Sequence, residues 1–192
     1  MITVEQPVGT WVVGIIHSIR DRAPRGLRLE LLLVVVLAIG VALIADPAPA
    51  SSQLTTTAPG DLGDPLYFAW QLAWVGHALT THPAGLWTTN AFLQAPDNLA
   101  FTDTLLGYAP LGPMLELFGL TGQAGALAQL NVAVVLAGVL ASVGGYALAR
   151  AMGAGRIPSL IAAAGFGYAP WRLEQVIHIN VLSTGGIACR SH

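Results

Sequence analysis

Long apolar runs alternate along this chain with polar, proline-marked stretches. The first run, "LLLVVVLAIGVALIA" at residues 31–45, makes a helix of about 22 Å against roughly 30 Å of bilayer hydrocarbon. Starting it at Leu27, with Arg28 and Glu30 reaching towards the headgroups, predicts a membrane helix over residues 27–45. "DPAPASSQLTTTAPGDLGDP" then reads as loop from its Pro, Ser, Thr and Gly content. "LYFAWQLAWVGHAL" follows, a helix too short to cross a bilayer, whose tryptophans suit the interface. "TLLGYAPLGPMLELFGL", residues 104–120, is apolar but carries Gly107, Pro110, Gly112, Pro113 and Glu116, all of which weaken it as a membrane helix. The strongest span is "GALAQLNVAVVLAGVLASVGGYALA", residues 125–149, and a shorter one is "IPSLIAAAGFGYAP", residues 157–170.

Charge orders these pieces. Arg20, Arg22, Arg25 and Arg28 precede the first span, which predicts a cytoplasmic N-terminus. Residues 46–149 hold no basic residue, yet contain Asp46, Asp61, Asp64, Asp97, Asp103 and Glu116. If residues 104–120 crossed the bilayer, Arg150 and Arg156 would face outside, against the positive-inside tendency. Laid in the interface, the same segment leaves both arginines in the cytoplasm and accommodates its prolines and Glu116.

The predicted fold class is an all-α membrane protein with about three transmembrane helices, residues 27–45, 125–149 and 157–170. Residues 1–26 are a cytoplasmic N-terminal segment and 150–156 a cytoplasmic loop. Residues 46–124 form a large outer loop with interfacial helices at about 65–80 and 104–120, and residues 171–192 an outer segment. The expected location is the cell membrane, multi-pass, with the lipid bilayer as first partner. Trp171, Arg172 and His178 then share a side with Asp64.

Composition narrows the picture further. Only 9% of the 192 residues are charged, where soluble domains carry about 25%, and mean hydropathy is +0.65. The net charge of −2 is itself uninformative, and with no basic patch to meet phosphates no nucleic-acid partner is expected. The lone Cys189 can form no intrachain disulfide, and no Cys/His spacing resembles a metal site. The ending "STGGIACRSH" interrupts an apolar pattern still in progress and reads as a chain cut short or read out of frame. The basic start, the first apolar run and "APA" at residues 48–50 also fit a secretory signal peptide. The apolar runs downstream favour an uncleaved anchor.

"GDPLYFAWQLAWVGHAL", "NAFLQAPDNLAFTDTLLGYAPL", "GYALAR" and "GFGYAPWRLEQVIHINVL" are similar to large bacterial membrane proteins grouped with the GT-C superfamily of polytopic glycosyltransferases. The resemblance runs from about Arg28 onward and covers only the front part of that architecture. It implies the N-terminal part of a GT-C-like fold and an enzyme that transfers a sugar from a polyprenyl-phosphate donor to an acceptor on the outer face. Because later spans would build much of the donor groove, it also implies that this chain alone is inactive. In the superfamily an early carboxylate of the first outer loop is the general base. Asp64 in "GDP" matches it, with Asp61 as runner-up. A carboxylate can take an acceptor proton once aimed within hydrogen-bond reach. The superfamily's second acidic motif is absent, and Arg172, Glu174 and His178 stand in its place, so a divalent metal is left without support.

Each candidate also has a plainer role. Asp64 before Pro65 fits a helix N-cap followed by proline at the first helical position. Asp103 matches an acid of the resemblance that would contact substrate, and it or Thr102 could equally cap the proline-marked segment. Asp97 in "APDN" is a turn residue. Arg172 could grip a lipid phosphate or anchor at the interface beside Trp171. His178 could join it, donate to a sugar, or be solvated among headgroups. Trp70, Trp74 and Trp87 suit the interface without stacking on sugars. The rival function is a non-enzymatic or transporter-like membrane protein, for which polar, broken spans near the midplane are the signature. Only Gln129, Asn131, Ser142 and Ser159 stand out in the spans, whereas the acids gather in the outer loop.

Overall fold

Residues 122–151 contain no proline, so nothing interrupts their helical hydrogen-bond ladder. The computed structural model describes residues 27–46, 50–60, 63–91, 95–103 and 105–183, and the regular structure among them is entirely helical. In chain order the helices are α1 (Leu27–Ala45), α2 (Asp64–Thr81), α3 (Leu111–Glu116), α4 (Gly122–Ala151), α5 (Arg156–Gly167), α6 (Pro170–Glu174) and α7 (Ile179–Ser183), joined by turns that include short 3₁₀ segments. α4 has 30 residues, about 45 Å. Among the described residues it is the one helix long and apolar enough to cross a membrane.

The C-terminal part of α4 packs with α1 and α5. Small residues allow this close approach: a Cβ on Gly167 would collide with Ser142 and reach within 3.1 Å of the Gly138 carbonyl. The base of this bundle is fastened by Glu30, which is only 9% exposed. Tyr146 Oη donates to Glu30 Oε2 at 2.8 Å and Arg156 Nε to Oε1 at 2.7 Å, while Arg150 Nε lies 3.2 Å from Oε2. Glu30 therefore turns inward and does not reach for headgroups, because two cations and a phenol offer its carboxylate better partners than an apolar surface does. Higher up, the Tyr168 hydroxyl donates to the Ala38 carbonyl. Away from α4 the bundle is apolar and open: Leu32, Leu33, Val36, Leu37, Ile157 and Ile161 are all more than half exposed.

The N-terminal part of α4 is wrapped by the loop elements instead. Phe68 and Leu72 of α2, Tyr108, Leu127 and Leu130 of α4, and Ile179 and Leu182 of α7 make one buried cluster. Polar side chains of α4 hold the wrapping in place. Gln129 Nε2 donates to the Leu72 carbonyl at 3.2 Å. Asn131 Nδ2 donates to the Leu54 and Thr57 carbonyls, both at 2.9 Å, which ties down the loop after α1.

α2 begins with Gly63 in the cap position, Asp64 as its first helical residue and Pro65 next. It ends where Thr80 and Thr81 hydroxyls bond back to the Gly76 and His77 carbonyls and Pro83 follows. Residues 104–120 do not form one interfacial helix. Leu105 takes a left-handed φ of 48°, a 3₁₀ turn occupies Leu106–Tyr108, and α3 is only six residues long. Pro110 and Pro113 fit just before and within the first turn of α3, where backbone N–H groups lack helical partners, but they forbid a ladder running through from residue 104.

The Glu30 cluster yields a test. Tyr146→Phe removes one hydrogen bond to a charged group and keeps the ring. It should lower the melting midpoint of the detergent-solubilised protein by about 3–6 °C. An unchanged midpoint would show that the phenol contributes only its ring.

Candidate functional site

The sequence singled out Asp64, Asp61, Asp103, Arg172 and His178, and the fold separates them into two groups. Asp61 lies outside the described residues. Asp64, Asp103 and His178 come together on one side of the fold, where the segment after α6 brings His178 and Asn180 to the two acids.

That segment is held by a glycine. Gly60 has φ +72°, and a Cβ there would overlap the Ile177 side chain. The loop before α2 thus lies against residue 177 and carries Asp64 to the neighbouring His178. His178 Nε2 is 3.1 Å from Asp64 Oδ2, and His178 Nδ1 is 2.8 Å from Gln175 Oε1. The ring stands between two acceptor atoms. An imidazolium donates to both; a neutral ring donates Nε2–H to Asp64 and needs the Gln175 amide turned so that its NH₂ meets Nδ1. The pair is open to solvent, with the Asp64 side chain 60% and that of His178 33% exposed.

Two residues beyond His178, Asn180 Nδ2 donates to Asp103 Oδ2 at 2.8 Å. The stretch 178–180 is therefore flanked by both acids, one on each pairing residue. The Tyr108 hydroxyl and Ser183 Oγ, 3.0 Å apart, fasten the end of α7 nearby. Asp64 at the start of α2 also sits in the favourable field of a helix N-terminus. Its carboxylate is aimed by His178 and remains accessible from solvent.

Capping explains less of these acids than their positions in the sequence suggest. Gly63 occupies the cap of α2 and has no side chain to cap with. Thr102 Oγ1, not Asp103, turns back to the chain, donating to the Leu99 carbonyl and accepting from Gln71 Nε2. Asp97 has a left-handed φ of 53° in its turn, a conformation Asp tolerates better than most residues.

Arg172 stands apart from this surface. It is 3% exposed, against the sequence-based picture of a guanidinium at the headgroups. Nη2 donates to the Leu182 carbonyl at 2.8 Å, and the group lies 5.2 Å from the Trp171 ring. Burial lowers its pKa from the ordinary value, and a guanidinium remains protonated even so. The tryptophans serve the fold: Trp70 donates to Asn90 Oδ1 and Trp74 to the Leu86 carbonyl, which pins α2 to the following loop. A cavity of about 570 Å³ opens between α2, α3 and the start of α4, with Trp70, His77, Glu116 and Gln123 on its walls, and touches neither Asp64 nor His178.

Gln175 and Asn180, the second partners at the site, carried no sequence signal, since isolated amides have many uses. The Glu30 cluster had one: a single acid and two arginines at the ends of successive apolar runs. Among the described residues no three His, Cys, Asp or Glu side chains gather closely enough to hold a metal ion. No protein-family model, curated protein or solved structure matches this chain.

The Gly60–Ile177 contact predicts that Gly60→Val detaches the stretch carrying His178. Protease cleavage between residues 170 and 183 should rise about tenfold or more in this variant, because a β-branched side chain adds both strain and collision. Cleavage at the unaltered rate would mean the contact does not hold the segment.

Proposed function

We propose that α1 and α4 cross the cell membrane with the N-terminus in the cytoplasm, and that α5, too short at 12 residues to cross alone, completes its crossing together with α6. The open apolar faces of α1 and α5 support this, since side chains such as Leu32, Val36, Leu37 and Ile157, at 56–72% exposure, suit lipid far better than water. The Glu30, Arg150 and Arg156 cluster would lie at the cytoplasmic end, in keeping with the arginines before α1.

On the outer face, the reading best supported is a GT-C-like glycosyltransfer site. Asp64 accepts the proton of an acceptor hydroxyl. The acceptor oxygen bonds to the anomeric carbon of a polyprenyl-phosphate-linked sugar, the bond from that carbon to the phosphate oxygen breaks, and the lipid phosphate departs with the electron pair. His178 orients Asp64, and Asp103 contacts the sugar or acceptor from the far side of residues 178–180. One observation carries this reading: an accessible carboxylate at the mouth of the outer loop, aimed by an imidazole 3.1 Å away. The transporter-like alternative is weaker, because Gln129 and Asn131 are buried and spend their amide N–H groups on backbone carbonyls, of Leu72 in α2 and of Leu54 and Thr57 in the loop before it.

Two experiments test the two parts. Alkaline carbonate should leave the protein in the membrane pellet, and release into the supernatant would reject the spanning helices. In a longer protein that carries this segment together with the further spans of the donor groove, Asp64→Asn should reduce sugar transfer from a labelled polyprenyl-phosphate sugar by about 10²–10⁴-fold while membrane insertion is unchanged. Transfer within twofold of wild type would remove Asp64 from the chemistry.

A further inference from the structure

Arg172 is a buried cation whose bonding is incomplete. It is 3% exposed, and Nη2 serves the Leu182 carbonyl, but its buried Nε and Nη1 have no hydrogen-bond partner. Buried guanidinium groups are ordinarily paired, since an unmatched charge away from water is costly. The same side chain lines a narrow slot of about 60 Å³ between the end of α1, the middle of α4 and α6. Ala42, Val134, Val135 and Leu173 make its walls apolar, and Tyr168 stands beside the guanidinium. The slot has room for one small polar group and none for a sugar ring.

We propose that this slot is an oxyanion site that takes the phosphate of a membrane phospholipid. The unused N–H groups of Nε and Nη1 are donors to its oxygens. The surface beside the slot suits the chains of the same molecule: Val41 and Ile44 at the end of α1, with Trp171 and Leu173 on α6, are exposed and apolar. Those exposed apolar side chains favour a phospholipid over free inorganic phosphate, which has no chains to place against them. The site is separate from the surface that carries Asp64 and His178. It rests on the membrane reading of α1, α4 and α5 and is independent of sugar transfer.

The test is lipid retention by the purified full chain, read by native mass spectrometry after incubation with phosphatidylglycerol, with diacylglycerol of the same chains, or with inorganic phosphate. The wild type should keep one phosphatidylglycerol, about tenfold in preference to diacylglycerol, and inorganic phosphate at equal concentration should not displace it. Arg172→Gln should bring retention down to the diacylglycerol level. Ala45→Trp should do the same by plugging the slot at an exposed position with Arg172 left in place, so the result does not depend on how the arginine variant folds. Undiminished retention in Ala45→Trp, equal retention of diacylglycerol, or displacement by inorganic phosphate would each overturn the proposal. Failure of the membrane reading shows separately, as release of the protein by carbonate.

Discussion

A mismatch of lengths shapes this molecule. α4 measures about 45 Å, whereas α1, with 19 residues, measures about 28 Å and α5, with 12, about 18 Å. Two shorter helices cannot cover the whole of α4. Its C-terminal part is sheathed by α1 and α5, and its N-terminal part would be left bare of partners without the loop elements. α2, α3, α7 and the turn at Ser52–Thr55 supply that cover. Buried apolar contact does most of this, and the amides of Gln129 and Asn131 give it register, since a buried amide without partners is expensive and one that finds a loop carbonyl fixes that loop.

The surface that carries Asp64 and His178 follows from this wrapping. The segment after α5 must turn back across α4 to bury Ile179 and Leu182, and in doing so it passes the loop before α2 at Gly60. His178 and Asn180 point away from the buried cluster and meet Asp64 and Asp103. An exposed Asp–His pair contributes little to stability, so its value lies in orientation. The carboxylate stays open to solvent while its direction is set by a ring that is itself held by Gln175. The same turn buries Arg172 on the opposite side of the segment, against α1 and α4. One short piece of chain thereby meets two carboxylates on one face, through His178 and Asn180, and buries a cation on the other.

Much of the helical outline could be read from residue order. The first apolar run ends at Ala45 because "DPAPASS" follows it, and proline with Ser and Asp halts a helix without help from distant residues. The amphipathic run after "GDP" starts and stops as its local chemistry dictates. The proline-marked segment was harder. Its apolar content suggested a lying helix, but left-handed Leu105 and two prolines reduce it to a turn and six residues. Among the candidate residues, the acid-bearing loop and the "WRLEQVIH" stretch were visible as places of interest because charge is scarce everywhere else. Which of their side chains meet was invisible, since Asp64 and His178 are more than a hundred positions apart and no local rule connects them.

Residue order alone decides where helices run, where they break, and that charge is rare enough to be informative, because these depend on backbone sterics and on side-chain transfer between water and oil. The fold alone decides that Glu30 turns inward, that Arg172 is buried while His178 is not, and that Asp103 pairs with Asn180. Those outcomes depend on which face of each helix is already taken by α4, and a packing competition of that kind has no counterpart in any single stretch of chain.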